Sequence, residues 1–264
     1  MNRLDQKLEL LKQQKKSGLV CYFTAGDPDF ETSLALLSQL GDSGADIIEI
    51  GMPFSDPVAD GETIQAAHIR ALNAGQTLKK TLYLVEKIRE KDHETPIVLM
   101  GYLNPILQYG FKKFLRDAKG LVDGILIVDL PYEYQQEYLE DIQENLIHFI
   151  CLTSPSTADE RLSHIAKNAT GFLYHVSENG VTGMQLNHQQ DLVQKIQQLK
   201  KHFNIPVGIG FGIKDEQQVR RLSGQADLVI IGSALVETLQ KNGVQATLEK
   251  VKQFSKVLHV TDSV

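Results

Sequence analysis

The chain is short of the residues from which specialised sites are usually recognised. It has two cysteines, Cys21 and Cys151, each inside an apolar run and neither with a second Cys or a His at ligand spacing. That argues against a disulfide framework and against structural zinc. The eight histidines are scattered and form no HxH or HExxH pattern, which argues against transition-metal catalysis. Positive charge is not in excess: 27 Lys and Arg stand against 33 Asp and Glu, a net charge of −6. Nucleic acid and anionic membrane are therefore poor partners, while a small anion held at a local site stays open. No apolar stretch reaches the ~18 residues that would span a bilayer. The opening Met1-Asn2-Arg3-Leu4-Asp5 has no apolar signal core, so a cytoplasmic location is expected. No Ser/Gly linker, low-complexity tract or shift in composition divides the chain, so a single domain over 1–264 is expected.

What the chain does have is alternation. Short β-branched runs occupy Gly18–Thr24, Asp46–Ile50, Pro96–Met100, Gly124–Val128, Ile147–Leu152, Gly171–Val176, Ile205–Ile209 and Asp227–Ile231. Each is rich in Val, Ile, Leu or aromatics, as a buried parallel strand should be. Helical spacing fills the intervals, as in Leu34, Leu36, Leu37 and Leu40, then Leu192, Val193, Ile196 and Leu199, then Val244, Leu248, Val251 and Phe254. Leu4, Leu8 and Leu11 mark an extra helix before the first strand. Eight strand–helix units in about 250 residues match a (β/α)₈ barrel. An open doubly wound sheet is the runner-up, but the turn after the first strand, Thr24-Ala25-Gly26-Asp27-Pro28, is no dinucleotide fingerprint.

Two intervals are long. One holds a polar loop, Gly51–Gly61, and two helical segments; the other runs from Ser177 to about His188. In a barrel, loops after strands lie on the catalytic face. Glu49 lies near the C-terminal end of the second strand. Alternation places it opposite Ile48 and Ile50, pointing into the barrel mouth. Partial desolvation there would raise its pKa and suit acid–base work; the plainer alternative is a strand-edge Glu paired with a Lys. Asp46 opens the same strand and reads as structural. Asp56 and Asp60 read first as turn or helix caps, although a mouth loop could use one as a second carboxylate. The loop has few apolar anchors beyond Met52, Pro53, Phe54 and Val58, so without support it is expected to be mobile.

Three Gly-rich stretches follow the last three strands: Asn179–Gly183, Gly208–Ile213 and Ile231–Ala234. The middle one fails as GxGxxG, because Ile213 or Asp215 stands where the third Gly is needed. Gly232-Ser233 opens a short helix, Ala234–Leu239, and such a helix start beside the late loops is where barrels hold phosphate with backbone N–H groups. Tyr102, Tyr174, Phe23, Leu126 and Phe211 fall near the same mouth, where most such residues pack the rim and a few would line a flat apolar pocket.

Together these stretches resemble the tryptophan synthase alpha chain family over about Gly18 to Val257. The most specific element is Glu49-Ile-Gly-Met-Pro-Phe-Ser-Asp-Pro-Val-Ala-Asp-Gly61. Phe23–Pro28, Met100–Pro105, Asp129–Pro131, Gly180–Gly183, Gly210–Gly212 and Gly232-Ser233 support it, in order. The resemblance implies a (β/α)₈ barrel with a short phosphate-binding helix after the eighth strand. It implies cofactor-free retro-aldol cleavage of indole-3-glycerol phosphate to indole and glyceraldehyde 3-phosphate. It also implies a pyridoxal-phosphate beta chain as partner in an alpha2beta2 tetramer. By the same resemblance Glu49 is the acid–base residue and Asp60 binds the indole N–H. Tyr22, Tyr102, Leu126, Tyr174, Thr182 and Phe211 line the substrate, and Gly183, Gly212, Gly232 and Ser233 hold its phosphate. Glu62 stands where the family usually has Pro, Tyr22 where Phe is common, and Glu178 where Arg is usual. Rival readings are another phosphosugar barrel, which should lack the Glu49 to Asp60 segment, and a non-catalytic activating subunit, which should have damaged carboxylates.

Overall fold

The computed structural model describes residues 2–176, 186–210 and 212–259, and within 186–191 the helical backbone alone. The expected loop from Ser177 therefore lies largely outside the described residues. Its last stretch is already helix, which begins at Leu186.

The described strands are β1 (Gly18–Thr24), β2 (Ile47–Gly51), β3 (Ile97–Gly101), β4 (Gly124–Ile127), β5 (His148–Phe149), β6 (Cys151–Thr153), β7 (Leu173–Val176), β8 (Val207–Gly210) and β9 (Leu228–Ile231). The helices are α1 (Arg3–Gln14), α2 (Phe30–Leu37), α3 (Glu62–Asn73), α4 (Leu78–Arg89), α5 (Leu103–Tyr109), α6 (Phe111–Ala118), α7 (Tyr132–Glu144), α8 (Asp159–Ile165), α9 (Leu186–His202), α10 (Glu216–Leu222) and α11 (Ser233–His259). All strand pairings are parallel, in the order β5-β4-β3-β2-β1-β9-β8-β7-β6. β5 and β6 are one stave interrupted at Ile150. Its start pairs with β4 and its end with β7, and the Ile150 N–H donates to the Ile125 carbonyl at 2.9 Å. The ring thus closes as the eight-stave barrel that the alternation of runs predicts.

Alternation along the strands separates two apolar layers. Leu19, Cys21, Ile48, Ile50, Ile97 and Leu99 pack outward with the helices. Val20, Ile47, Val98, Leu126, Ile150, Phe172, Leu228 and Ile230 fill the interior. Phe23, expected near the mouth, belongs to the outward set, because it shares parity with Cys21 and pairs with Ile50. Both cysteines are free and buried, and burial pushes their thiols up, so neither is a nucleophile.

The extra helix closes the bottom. Asn2 and Asp5 form a capping box at the start of α1, and Leu4, Leu8 and Leu11 enter the interior cluster. A polar clamp beside it centres on Asp123, which is 1% exposed. Asp123 accepts from Arg3 at 2.8 Å, from Arg89 at 3.0 Å and from the Ile97 N–H at 2.9 Å. Asp46 is structural too, accepting from the Leu19 N–H at 2.8 Å and facing His259 Nε2 at 2.8 Å. At the other end of the chain α11 leaves helical geometry at Gly243, whose φ is 78°. That bend separates the expected short helix after the last strand from the final barrel helix.

The clamp yields a stability prediction. Burial lowers the Arg89 guanidinium to about 10 against the pull of Asp123, so it stays charged at neutral pH. Asp123→Ala would leave that buried cation without its carboxylate, and loss of one partner of such a pair costs about 3–5 kcal/mol. Urea unfolding should show a loss of that size. A change below about 1 kcal/mol would mean that backbone carbonyls alone hold Arg89.

Candidate active site

Glu49 is the central residue of β2, in register with Tyr22 of β1 and Val98 of β3. It is fully buried, and neither carboxyl oxygen has a hydrogen-bond partner among the described residues. No lysine meets it there, which removes the ion-paired alternative. Burial, and secondarily the charge of Asp60, push its pKa from the ordinary 4.5 up to about 8. At neutral pH this side chain therefore holds a proton, and it can return to that state after giving one up.

The space above β2 is made by glycines. A Cβ on Gly51 would lie 2.1 Å from the Tyr22 hydroxyl, and one on Gly210 would lie 2.3 Å from the Tyr174 ring. Both tyrosines thus lean across neighbouring strands into the mouth. The Tyr22 hydroxyl lies 3.3 Å from Thr24 Oγ1. Burial first, then Asp60 for Tyr22 and Glu49 for Tyr174, push both phenols well up, so they are neutral donors. Leu126 is buried on the interior face of β4.

Asp60 lies on the loop after β2, with its side chain 7% exposed. Tyr102, which caps α5, donates to Asp60 Oδ2 at 2.7 Å and accepts from the Ala59 N–H at 3.0 Å. The Phe54 and Tyr102 rings pack at 5.1 Å. Gln65 on α3 donates to the Asp60 carbonyl at 2.7 Å. The loop is therefore held by hydrogen bonds as well as by Met52, Pro53 and Phe54. Val58, expected as an anchor, is 74% exposed and anchors nothing. Glu62 takes the first position of α3, where an acid suits the helix N-terminus as well as a Pro would. His68 on α3 completes the cluster. Its Nδ1 accepts the Phe54 N–H at 2.9 Å, and its Nε2 lies 3.5 Å from Asp60 Oδ2. Residue order alone does not single out His68, because a lone His on an amphipathic helix carries no local signal.

On the far side of the mouth Gly212 follows β8, half-buried, and Gly232-Ser233 lead from β9 into α11. The N–H groups of Leu235 and Val236 bond back to the Gly232 carbonyl at 2.8 and 3.0 Å. Those of Ser233 and Ala234 precede that ladder, and no acid occupies the first turn. This is the geometry in which a helix start receives an anion. Thr182, Gly183, Phe211 and the variant position Glu178 lie outside the described residues. Among the described residues no group of three His, Cys, Asp or Glu could hold a metal ion, and no helix is long and apolar enough to cross a membrane.

The raised Glu49 pKa has a measurable consequence. Unfolded, the carboxyl titrates near 4.5; folded, near 8. Between those values the native state binds the extra proton, so the contribution of Glu49 to stability falls as pH rises through the window. Glu49→Gln lacks this titration. Its stability relative to wild type should rise from about pH 5 to about pH 8, with a slope approaching ~1.4 kcal/mol per pH unit, and then level off. Parallel stability curves for the two proteins would show that the carboxyl is ionised in the fold.

Three likenesses agree with this geometry. The family model for the tryptophan synthase alpha chain matches residues 8–262. A crystal structure of the tryptophan synthase alpha chain from Legionella pneumophila subsp. pneumophila shares 38% identity at a TM-score of 0.91, covering 100% of both chains. A structure of tryptophan synthase from M. tuberculosis in an open form shares 32% identity at a TM-score of 0.89, covering 98% of this chain and 99% of the other. The match spans the barrel, the Glu49 strand, the Asp60 loop and the start of α11, and the chain belongs to the tryptophan synthase alpha chain family.

Proposed function

We propose that this chain cleaves indole-3-glycerol phosphate to indole and glyceraldehyde 3-phosphate, with Glu49 moving the protons and Asp60 holding the indole ring. The observation that carries this reading is the buried Glu49 carboxyl at the mouth, without a hydrogen-bond partner among the described residues and with its pKa raised by burial to about 8. Retro-aldol cleavage begins with a proton delivered to C3 of the indole, which leaves positive charge at the ring nitrogen. The hydroxyl on the adjoining side-chain carbon then loses its proton, the carbon–carbon bond breaks, and its electron pair returns to the ring. Glu49 gives the first proton and takes the second, so it ends as it began. A carboxylate with an ordinary pKa would be deprotonated at neutral pH and unable to start the cycle.

Asp60 supplies the negative charge beside the ring N–H, where cationic character develops. Tyr102 orients it through the 2.7 Å hydrogen bond. Tyr22, Leu126 and Tyr174 bound the ring from the barrel side, and Thr182 and Phe211 are assigned to the same pocket. The phosphate rests on the N–H groups at Gly232-Ser233, with Gly212 beside it, and Gly183 is assigned to the same cradle. None of these steps needs a cofactor. The family works with a beta chain in tetramers, and the same reading gives this chain a cytoplasmic alpha2beta2 assembly whose beta chain covers the mouth and consumes the indole. The intact carboxylates favour a catalytic role over a purely activating one.

The test is indole release from indole-3-glycerol phosphate by the purified chain, alone and with a cognate beta chain. Glu49→Gln should lower kcat by at least ~100-fold in both settings while substrate still binds. Turnover near that of wild type would remove Glu49 from the chemistry, and no indole from wild type in either setting would remove the substrate.

The phosphate cradle has its own test. A side chain at Gly232 would press on the Tyr22 ring, at 3.3 Å from a new Cβ, so that position confounds packing with binding. Ser233→Pro is cleaner: proline suits the first position of a helix, and the change removes that N–H together with the serine hydroxyl while leaving the rest of the helix ladder in place. KM should rise about tenfold with kcat changed less. Inorganic phosphate should also protect the variant against thermal unfolding less than it protects wild type. Equal protection would place the phosphate elsewhere.

A further inference from the structure

His68 is 2% exposed, and its Nε2 is a buried nitrogen with no hydrogen-bond partner among the described residues. Its other nitrogen settles its chemistry. Nδ1 accepts the Phe54 N–H at 2.9 Å and so carries no proton. The ring proton is therefore on Nε2, a buried donor that lies 3.5 Å from Asp60 Oδ2. An N–H···O bond closes at about 2.9 Å, so a carboxylate shift of roughly half an ångström makes it. A buried donor left unsatisfied is costly, which favours that shift.

We infer that His68 is a positioning residue for Asp60. It donates from Nε2 to Oδ2 as the loop tightens over substrate, and it ties the same loop to α3 through Phe54. Tyr102 already donates to Oδ2 at 2.7 Å. Two donors on one oxygen fix the rotation of the carboxylate and leave Oδ1 as the oxygen offered to the ring N–H. The arrangement also links both ends of the loop, Phe54 and Asp60, to one imidazole on a rigid helix, so the loop moves as a unit or not at all. This rests on the reading of Asp60 as the group that meets the indole nitrogen.

The experiment compares His68→Leu and His68→Gln with wild type in steady-state cleavage of indole-3-glycerol phosphate, alongside thermal unfolding. The Gln amide nitrogen reaches about as far along the side chain as imidazole Nε2 and keeps a donor there. His68→Leu should lower kcat about tenfold with KM changed less than about threefold. His68→Gln should recover at least about half of that loss on a logarithmic scale. Unchanged kcat in His68→Leu overturns the assignment. So does equal loss in both variants, since a purely structural role does not distinguish a donor from an apolar side chain. A second readout stands apart from activity. In nitrogen-15 spectra of the wild-type chain, His68 should show an Nε2–H tautomer with a slowly exchanging proton whose resonance moves in Asp60→Asn. A fast-exchanging proton, or one indifferent to Asp60→Asn, contradicts the pairing even if wild type proves inactive on this substrate, an outcome that would by itself sink only the proposed function.

Discussion

A carboxylic acid buried without a partner is the constraint around which this barrel is arranged. Glu49 is fully buried and has no hydrogen-bond partner among the described residues, so the fold favours the neutral side chain over the charged one. That neutrality depends on the interior below it being closed. Val20, Ile47, Val98 and Phe172 fill the barrel, and α1 seals its base with three leucines. It depends also on neutral phenols in the same mouth, Tyr22 on the neighbouring β1 and Tyr174 on β7 across the ring, which fit because Gly51 and Gly210 have no side chains. An opening in the base or a lysine at either tyrosine position would return the carboxyl towards its ordinary range.

The second carboxylate is treated in the opposite way. Asp60 lies on a loop, receives a hydroxyl donor from Tyr102, and faces the imidazole of His68. Two acids in one mouth thus have different surroundings: one is stripped of partners and protonated, the other is supplied with donors. Environments of this kind divide proton transfer from charge stabilisation between chemically similar side chains. The loop bearing Asp60 is fastened at Phe54, Ala59 and the Asp60 carbonyl, which places the acid before any partner docks.

Much of this was legible from residue order. The strands fall within about two residues of the β-branched runs, because buried parallel strands must be continuously apolar. The inward direction of Glu49 followed from parity alone, and the helix start at Gly232-Ser233 from its place after the last strand. The errors share a cause. Val58 looked like a loop anchor and Phe23 like a mouth residue, because apolarity does not say which surface a side chain meets. The interruption at Ile150 and the Asp123 clamp depend on contacts between distant segments. His68 lies only eight residues from Asp60, yet its role is set by the path of the intervening chain, and helical periodicity reads it as one more inward position on α3.

Infrared difference spectroscopy of the isolated chain against Glu49→Gln would test the buried acid directly. A protonated carboxyl band should be present at pH 7 in wild type, absent from the variant, and lost on titration with a midpoint at about 8. A midpoint in the ordinary carboxylate range near 4.5 would contradict it, and with it the assignment of Glu49 as the group that delivers the first proton.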